Sequence, residues 1–150
     1  MARIALLDVN VLVALFDPDH VHHEIAHDWF ADHRAAGWAT CPITENGFVR
    51  VVSNPRYRPD AERPGAVIDY LRRFCASGQH HFWPAVISLR DDDLFVEDGA
   101  FGHRSLTDLY LLGLARKMGG ALATFDRAIP VTAVKGLKRD QLAVIAPDAG

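Results

Sequence analysis

Two aspartates stand where two short apolar runs end: Asp8 follows Arg3–Leu7, and Asp126 follows Ala121–Phe125. Two more carboxylates lie on inward-facing helical stripes. Glu45 shares a face with Phe48, Val49 and Val52, and Asp108 does the same with Leu111, Leu112 and Ala115. A carboxylate on an inward face is costly unless its charge is compensated. Four converging acids repel one another, and a bound divalent cation is the simplest compensation that also makes them useful. The set holds no His or Cys, so its chemistry points to Mg2+ or Mn2+, hard ions that prefer carboxylate and water oxygens. Such an ion lowers the pKa of bound water and stabilises the charge on a phosphodiester under in-line attack, which makes phosphate-ester hydrolysis the natural use.

Each acid also has a purely structural account. Asp8 fits a turn, Glu45 favours the positive end of its helix, Ser105 with Asp108 matches an S-x-x-D capping box, and Asp126 fits a cap. It is the coincidence of four that favours a site.

The elements that must position these acids read as an alternation of short apolar strands and helices. Strands are expected at Arg3–Leu7, Trp38–Cys41, His80–Trp83, Ala121–Phe125 and Leu142–Ile145. Helices are expected at Val11–Phe16 behind an Asn10 cap, His22–Ala35, Ile43–Val52 opened by Pro42, Pro64–Ala76 with Val67, Ile68, Leu71 and Phe74 inward, and Leu106–Lys117 stopped by Gly119-Gly120. Arg56–Arg63 and the acidic stretch Arg90–Arg104 read as polar connections. The pattern predicts one α/β domain over residues 1–150, a small parallel sheet with helices on both faces. Ligands gather at the carboxyl ends of strands in such sheets, where Asp8 and Asp126 fall.

Composition bounds the rest. The 150 residues are 49% hydrophobic, enough for a core without disulfides or a structural metal, and two cysteines with no CxxC spacing suit a reduced, cytoplasmic protein. Asp8 and Asn10 interrupt the apolar start where a signal peptide needs continuity, and no run approaches a membrane span. The net charge of -3 excludes a polybasic coat. It does not exclude a polyanionic substrate, because the four acids assigned to cations leave sixteen basic residues against fifteen acidic ones. Arg50, Arg56, Arg58, Arg63, Arg72 and Arg73 cluster within one window and suit either RNA contact or a solvated face balanced by Asp60, Glu62 and Asp69.

The segments LLDVNVLVALF (Leu6–Phe16), TENGFVRVVSNP (Thr44–Pro55), LTDLYLLGLA (Leu106–Ala115) and ATFDRAI (Ala123–Ile129) together resemble the PIN domain and, within it, the VapC-type ribonuclease toxins of toxin–antitoxin pairs. The resemblance places Asp8, Glu45, Asp108 and Asp126 at the family's four acidic, catalytic positions, with Asp8, Asp108 and Asp126 as metal ligands. Asn10 is similar to the family's polar partner at the site, and Thr124 to the hydroxyl before the fourth acid, both on the substrate side. It implies Mg2+- or Mn2+-dependent cleavage of single-stranded RNA, a homodimer, and inhibition by a small VapB-type antitoxin. The loop Asn54–Pro64 and the segment Gln79–Gly102 match no motif.

Three rivals stand beside it. His23-Glu24-Ile25-Ala26-His27 fits the H-E-x-x-H helix of zinc peptidases, with Glu24 as base and Glu45 as a conceivable third ligand, although Phe30 replaces the glycine of the extended pattern. A haloacid dehalogenase-like phosphatase also uses an aspartate at the position of Asp8, but wants a second aspartate where Asn10 stands. A non-catalytic interaction domain is the third. The histidines outside H-E-x-x-H read as loop or surface residues, with His80 and His81 as possible RNA contacts.

Overall fold

The computed structural model describes residues 2–97 and 101–146. Five strands, β1 (Ala5–Leu7), β2 (Trp38–Thr40), β3 (His80–Phe82), β4 (Ala121–Thr124) and β5 (Leu142–Val144), form one sheet in the order β3-β2-β1-β4-β5, every neighbouring pair parallel. The helices are α1 (Val9–Phe16), α2 (His23–His33), α3 (Pro42–Val52), α4 (Pro64–Cys75) and α5 (Leu106–Lys117). The chain steps outward from β1 through β2 to β3, then returns to the other side of β1 for β4 and β5. The carboxyl ends of β1 and β4 therefore flank the switch in direction, where a crevice opens in sheets of this kind.

Strand alternation divides the core. Ala5, Leu7, Trp38 and Ala123 pack with α1 to α4 on one face, whereas Leu6, Ala39 and Leu122 pack with α5 on the other. The register Leu6↔Ala39 and Leu6↔Leu122 keeps these faces aligned across the sheet. α1 and α3 approach closely because residue 47 is glycine: a Cβ there would lie 2.6 Å from Val9 Cγ2.

Each strand is shorter than the sequence predicts: β1 starts at Ala5 rather than Arg3, and each of the other four ends one residue early. α1 begins at Val9, two residues early, and its N-cap is Asp8 rather than Asn10: Asp8 Oδ1 accepts from Val9 N–H at 2.7 Å. The helix expected to reach Ala35 ends at His33 and tightens into a 3-10 turn at Arg34–Ala36, after which Gly37, at φ 104°, releases the chain into β2. Ile68 is 43% exposed, while Val67 and Leu71 of α4 are buried. The stretch Arg90–Arg104 includes residues 98–100, which lie outside the described residues. It is less polar in effect than its composition, since Leu94 and Phe95 pack beneath α5 with Ile87 and Phe95 bridges Val134. Among the described residues no helix is long and apolar enough to cross a membrane.

Arg58 of the first polar connection pairs with Asp17, Asp19 and Asp60, and Arg72 and Arg73 pair with Asp69. Arg50, Arg56 and Arg63 are exposed and form no ion pair among the described residues.

Candidate active site

Leu7 is paired with Ala123, and both face α1 to α4, so the next residue of each strand, Asp8 and Thr124, turns toward the α5 side. There the Thr124 hydroxyl donates to Asp8 Oδ2 at 2.7 Å. Thr124 Oγ1 in turn accepts from Asp126 N–H at 3.1 Å and from Asn10 Nδ2 at 3.4 Å. With its one proton committed to the carboxylate, Thr124 can only accept from Asn10, which fixes the Asn10 amide with nitrogen toward Thr124. Asn10 Oδ1 is left buried, with no hydrogen-bond partner among the described residues.

Asp108 approaches from the first turn of α5. Ser105, its expected capping partner, makes no side-chain cap bond, so the capping-box account of Asp108 does not hold. Burial and the charges of Asp8 and Asp126, together with Asp126 accepting its proton, push the Asp108 carboxyl up to about 6. Burial also raises Asp8; the hydrogen bonds from Thr124 and Val9 oppose the shift and the charge of Asp126 adds to it. Burial is the larger cause of both shifts, and the charges of the neighbouring carboxylates add to it, which couples Asp8, Asp108 and Asp126 electrostatically at one edge of the sheet. Among the described residues their ligand atoms do not form a group within 4.8 Å of one another. Asp126 also keeps a turn role, since its Oδ1 accepts from Ala128 N–H at 2.8 Å.

Glu45 meets different side chains. Thr40, the last residue of β2, is in register with Leu7 and so faces the opposite side of the sheet from Thr124. Its hydroxyl donates to Glu45 Oε2 at 2.6 Å and lies 2.7 Å from His80 Nε2. α3 is started by Pro42 at its first turn and by Thr44, which accepts from Cys41 N–H at 3.0 Å, and this sets Glu45 just past the end of β2. Glu45, Cys75 and His80 bring ligand atoms within 4.8 Å of one another. Along the chain this grouping shows only as the C-x4-H spacing of Cys75 and His80, and Thr40 repeats the position of Thr124 as the last residue of a strand.

The H-E-x-x-H pattern does fall on a helix, α2, but its rings serve α1. His23 Nδ1 lies 2.7 Å from Ala14 O, and His27 Nε2 3.0 Å from Leu15 O. Both rings must donate to these carbonyls, which α1 leaves without intrahelical partners at its end. Glu24 is exposed, and no zinc-ligand cluster includes His23, Glu24 or His27 among the described residues. The peptidase alternative is thereby set aside, and the phosphatase alternative lacks its second acid because Asn10 occupies that position.

Comparison with known proteins agrees with this architecture. The PIN domain family profile matches residues 5–135. Ribonuclease VapC44 of Mycobacterium tuberculosis is 44% identical over 141 residues, covering 94% of this chain and 99% of the relative. Ribonuclease VapC39 of the same organism is 43% identical over 133 residues, covering 89% of this chain and 96% of the relative, and ribonuclease VapC38 is 44% identical over 126 residues, or 84% and 87%. With a profile match over most of its length and relatives this similar along nearly their whole chains, the protein belongs to the PIN domain family.

Proposed function

We propose that this chain is a metal-dependent endoribonuclease that cleaves phosphodiester bonds in single-stranded RNA and acts as the toxin of a VapBC-type pair. The observation that carries the chemistry is the electrostatic coupling of Asp8, Asp108 and Asp126 at the carboxyl edge of the sheet, together with a buried Asn10 Oδ1 that has no hydrogen-bond partner among the described residues. The relatives named ribonuclease VapC support the choice of RNA over another phosphate ester.

Carboxylate and amide oxygens are the donor set that Mg2+ or Mn2+ takes, so Asp8, Asp108 and Asp126 fit as the residues that would hold it. A divalent ion there supplies activated water and neutralises charge on the phosphate. The chain's own residues supply position. Thr124 clamps Asp8 Oδ2 while accepting from Asp126 N–H, so one hydroxyl sets two of the three acids. Asn10 is held through its Nδ2 by Thr124, and its Oδ1 stays buried as an acceptor that no other described residue uses. Water adds to phosphorus in line with the leaving ester oxygen, and no acid becomes covalently attached.

Glu45 enters this reading as the fourth acid, at the same carboxyl edge but on the Thr40 side. Thr40 holds its Oε2 on that side, so its contribution is expected to be smaller than theirs. A VapB-type antitoxin, a homodimer and a cytoplasmic site of action belong to the same proposal.

The deciding experiment incubates the purified chain with single-stranded RNA after EDTA treatment. Cleavage restored by Mg2+ or Mn2+ and abolished in Asp8→Asn is expected; an Asp8→Asn protein that cuts as fast as the parent would sink the assignment. Expression in a bacterial host separates toxin from housekeeping nuclease, since growth arrest that depends on Asp108 is expected only of a toxin.

A further inference from the structure

A second cluster of metal-ligating side chains lies apart from the aspartates and differs from them in chemistry. Glu45 comes from α3, Cys75 is the last residue of α4, and His80 is the first residue of β3. All three are half-buried, and one ligand atom from each lies within 4.8 Å of the other two. The set offers one oxygen, one sulfur and one imidazole nitrogen, whereas the aspartate cluster offers only oxygen.

The set is held by β2. Trp38 Nε1–H donates to Gly78 O at 3.0 Å, and Trp38 N–H donates to Gln79 O at 3.0 Å, so the connection between α4 and β3 is pinned twice by one residue. Gly78 at φ 111° and Gln79 at φ 64° turn that connection tightly enough to bring His80 back beside Cys75. The indole of Trp38 then packs on the His80 ring, with centroids 4.7 Å apart. Thr40 holds the other side. Its proton goes to Glu45 Oε2, so His80 donates Nε2–H to Thr40 Oγ1, and the metal-free cluster is a closed relay from imidazole through hydroxyl to carboxylate.

We propose that Glu45, Cys75 and His80 form a binding site for a borderline-soft divalent cation of the zinc class, distinct from the aspartate cluster. Thiolate and imidazole select zinc over magnesium, and a Cys, a His and a carboxylate leave the fourth tetrahedral position to water. Tetrahedral ligands about 2.0–2.3 Å from zinc stand roughly 3.3–3.8 Å apart, so side-chain rotation of about 1 Å closes the set. Coordination releases the Cys75 thiol proton to solvent, and a metal taken on Nε2 leaves the ring proton on Nδ1. Thr40 keeps its bond to the carboxylate and orients it, the part outer partners play at such centres. A metal bound here cross-links α3, α4 and β3 and keeps Glu45 on the Thr40 side of the sheet.

The test is titration of the reduced, EDTA-treated and desalted full chain with Co2+, followed by Zn2+. A thiolate-to-cobalt charge-transfer band with intense tetrahedral visible bands is expected, displaced by one equivalent of Zn2+. Cys75→Ser should remove the charge-transfer band, His80→Asn and Thr40→Val should each weaken Zn2+ binding by roughly tenfold or more, and Asp8→Asn should leave the spectrum intact. Circular dichroism on each variant separates lost ligands from lost fold. Absence of the band in the parent protein at saturating Co2+ overturns the site outright. So does a band that survives Cys75→Ser, which would assign it to Cys41, or one that disappears in Asp8→Asn. None of these readouts involves RNA, so they stand or fall separately from the nuclease.

Discussion

The Thr124 hydroxyl donates to Asp8 Oδ2 at 2.7 Å across 116 residues of sequence, joining the carboxyl ends of the two adjacent strands that flank the sheet's change of direction. Thr124→Val keeps the β-branched shape and removes the donor, leaving a buried carboxylate oxygen without its strongest partner. A hydrogen bond to a charged group is worth about 1.5–3 kcal/mol, and its loss both raises the Asp8 carboxyl further and frees its orientation. Calorimetric titration with Mn2+ should show binding weakened by roughly tenfold or more in Thr124→Val, with Thr124→Ser close to the parent. Equal affinity in the valine variant would mean that Thr124 orients nothing that a metal uses.

Asp108 gives a pH-dependent signature. Its carboxyl titrates at about 6 in the folded chain against 3.8 for the ordinary group, because of burial and the charges of Asp8 and Asp126. A carboxyl raised on folding leaves stability untouched below its unfolded value and lowers it as pH climbs through the folded one. The metal-free protein should therefore lose stability between about pH 4 and pH 6, and Asp108→Asn should be the more stable protein at neutral pH and not at about pH 4. Solvent screening of a half-exposed group keeps the gain small. Scanning calorimetry would register it as a few degrees, at roughly 2–4 °C per kcal/mol for a chain of this size. Added Mn2+ should reverse the order of the two proteins; an Asp108→Asn variant that melts below the parent at neutral pH without metal would show that the cluster is not repulsive.

The two acids that separate in space were indistinguishable along the chain. Glu45 and Asp108 sit alike, one turn into their helices and aligned with buried stripes, and helical periodicity assigns both an inward face without saying which side of the sheet that face meets. The strand order decides it. β2 and β4 lie on either side of β1, and Thr40 ends its strand one residue short of the level of Asp8, on the opposite face from Thr124. Asp8 and Asp126 were legible because they directly follow apolar runs, and α5 because Leu106–Lys117 has uninterrupted periodicity. His80 was not, since its partners Thr40 and Trp38 are neighbours only through pairing of β2 with β3.

That separation makes Glu45→Gln a graded test of the fourth acid. Thr40 can donate to a glutamine oxygen as it does to the carboxylate, so the local structure should persist. RNA cleavage by Glu45→Gln should fall less than in Asp8→Asn under the same Mg2+ concentration. Loss equal to that of Asp8→Asn would show that Glu45 crosses to the aspartates in the working enzyme.

The histidines of the H-E-x-x-H segment predict a loss of stability rather than of metal. His23 and His27 satisfy the carbonyls of Ala14 and Leu15 at the end of α1, and their rings pack edge to face at 4.3 Å. His23→Ala removes one such donor and should cost about 1 kcal/mol in urea unfolding, with Zn2+ uptake unchanged. A variant as stable as the parent, or one that loses bound zinc, would reopen the metal role for this helix.

The polar loop after α3 is tied to the end of α1 by Asp17, which accepts from the Tyr57 hydroxyl and pairs with Arg58 at 2.8 Å. Burial alone would raise the Asp17 carboxyl, but Tyr57, the Asp19 N–H and Arg58 outweigh it and hold the group below its ordinary 3.8. Burial and the same bond push the Tyr57 hydroxyl up to about 12. The two shifts act at opposite ends of the pH scale. A carboxyl lowered on folding stabilises above its unfolded value and loses that contribution as pH falls through the folded one; a phenol raised on folding stabilises below about 10 and loses its contribution as pH rises toward about 12. Tyr57→Phe should therefore lower the urea midpoint across the neutral range and make the parent's alkaline decline shallower over that upper interval, to which the raised Cys75, Tyr70 and Tyr110 also contribute, while Asp17→Asn should also flatten the acid limb. Parallel pH profiles for parent and Tyr57→Phe would show that the hydroxyl bond contributes nothing in solution.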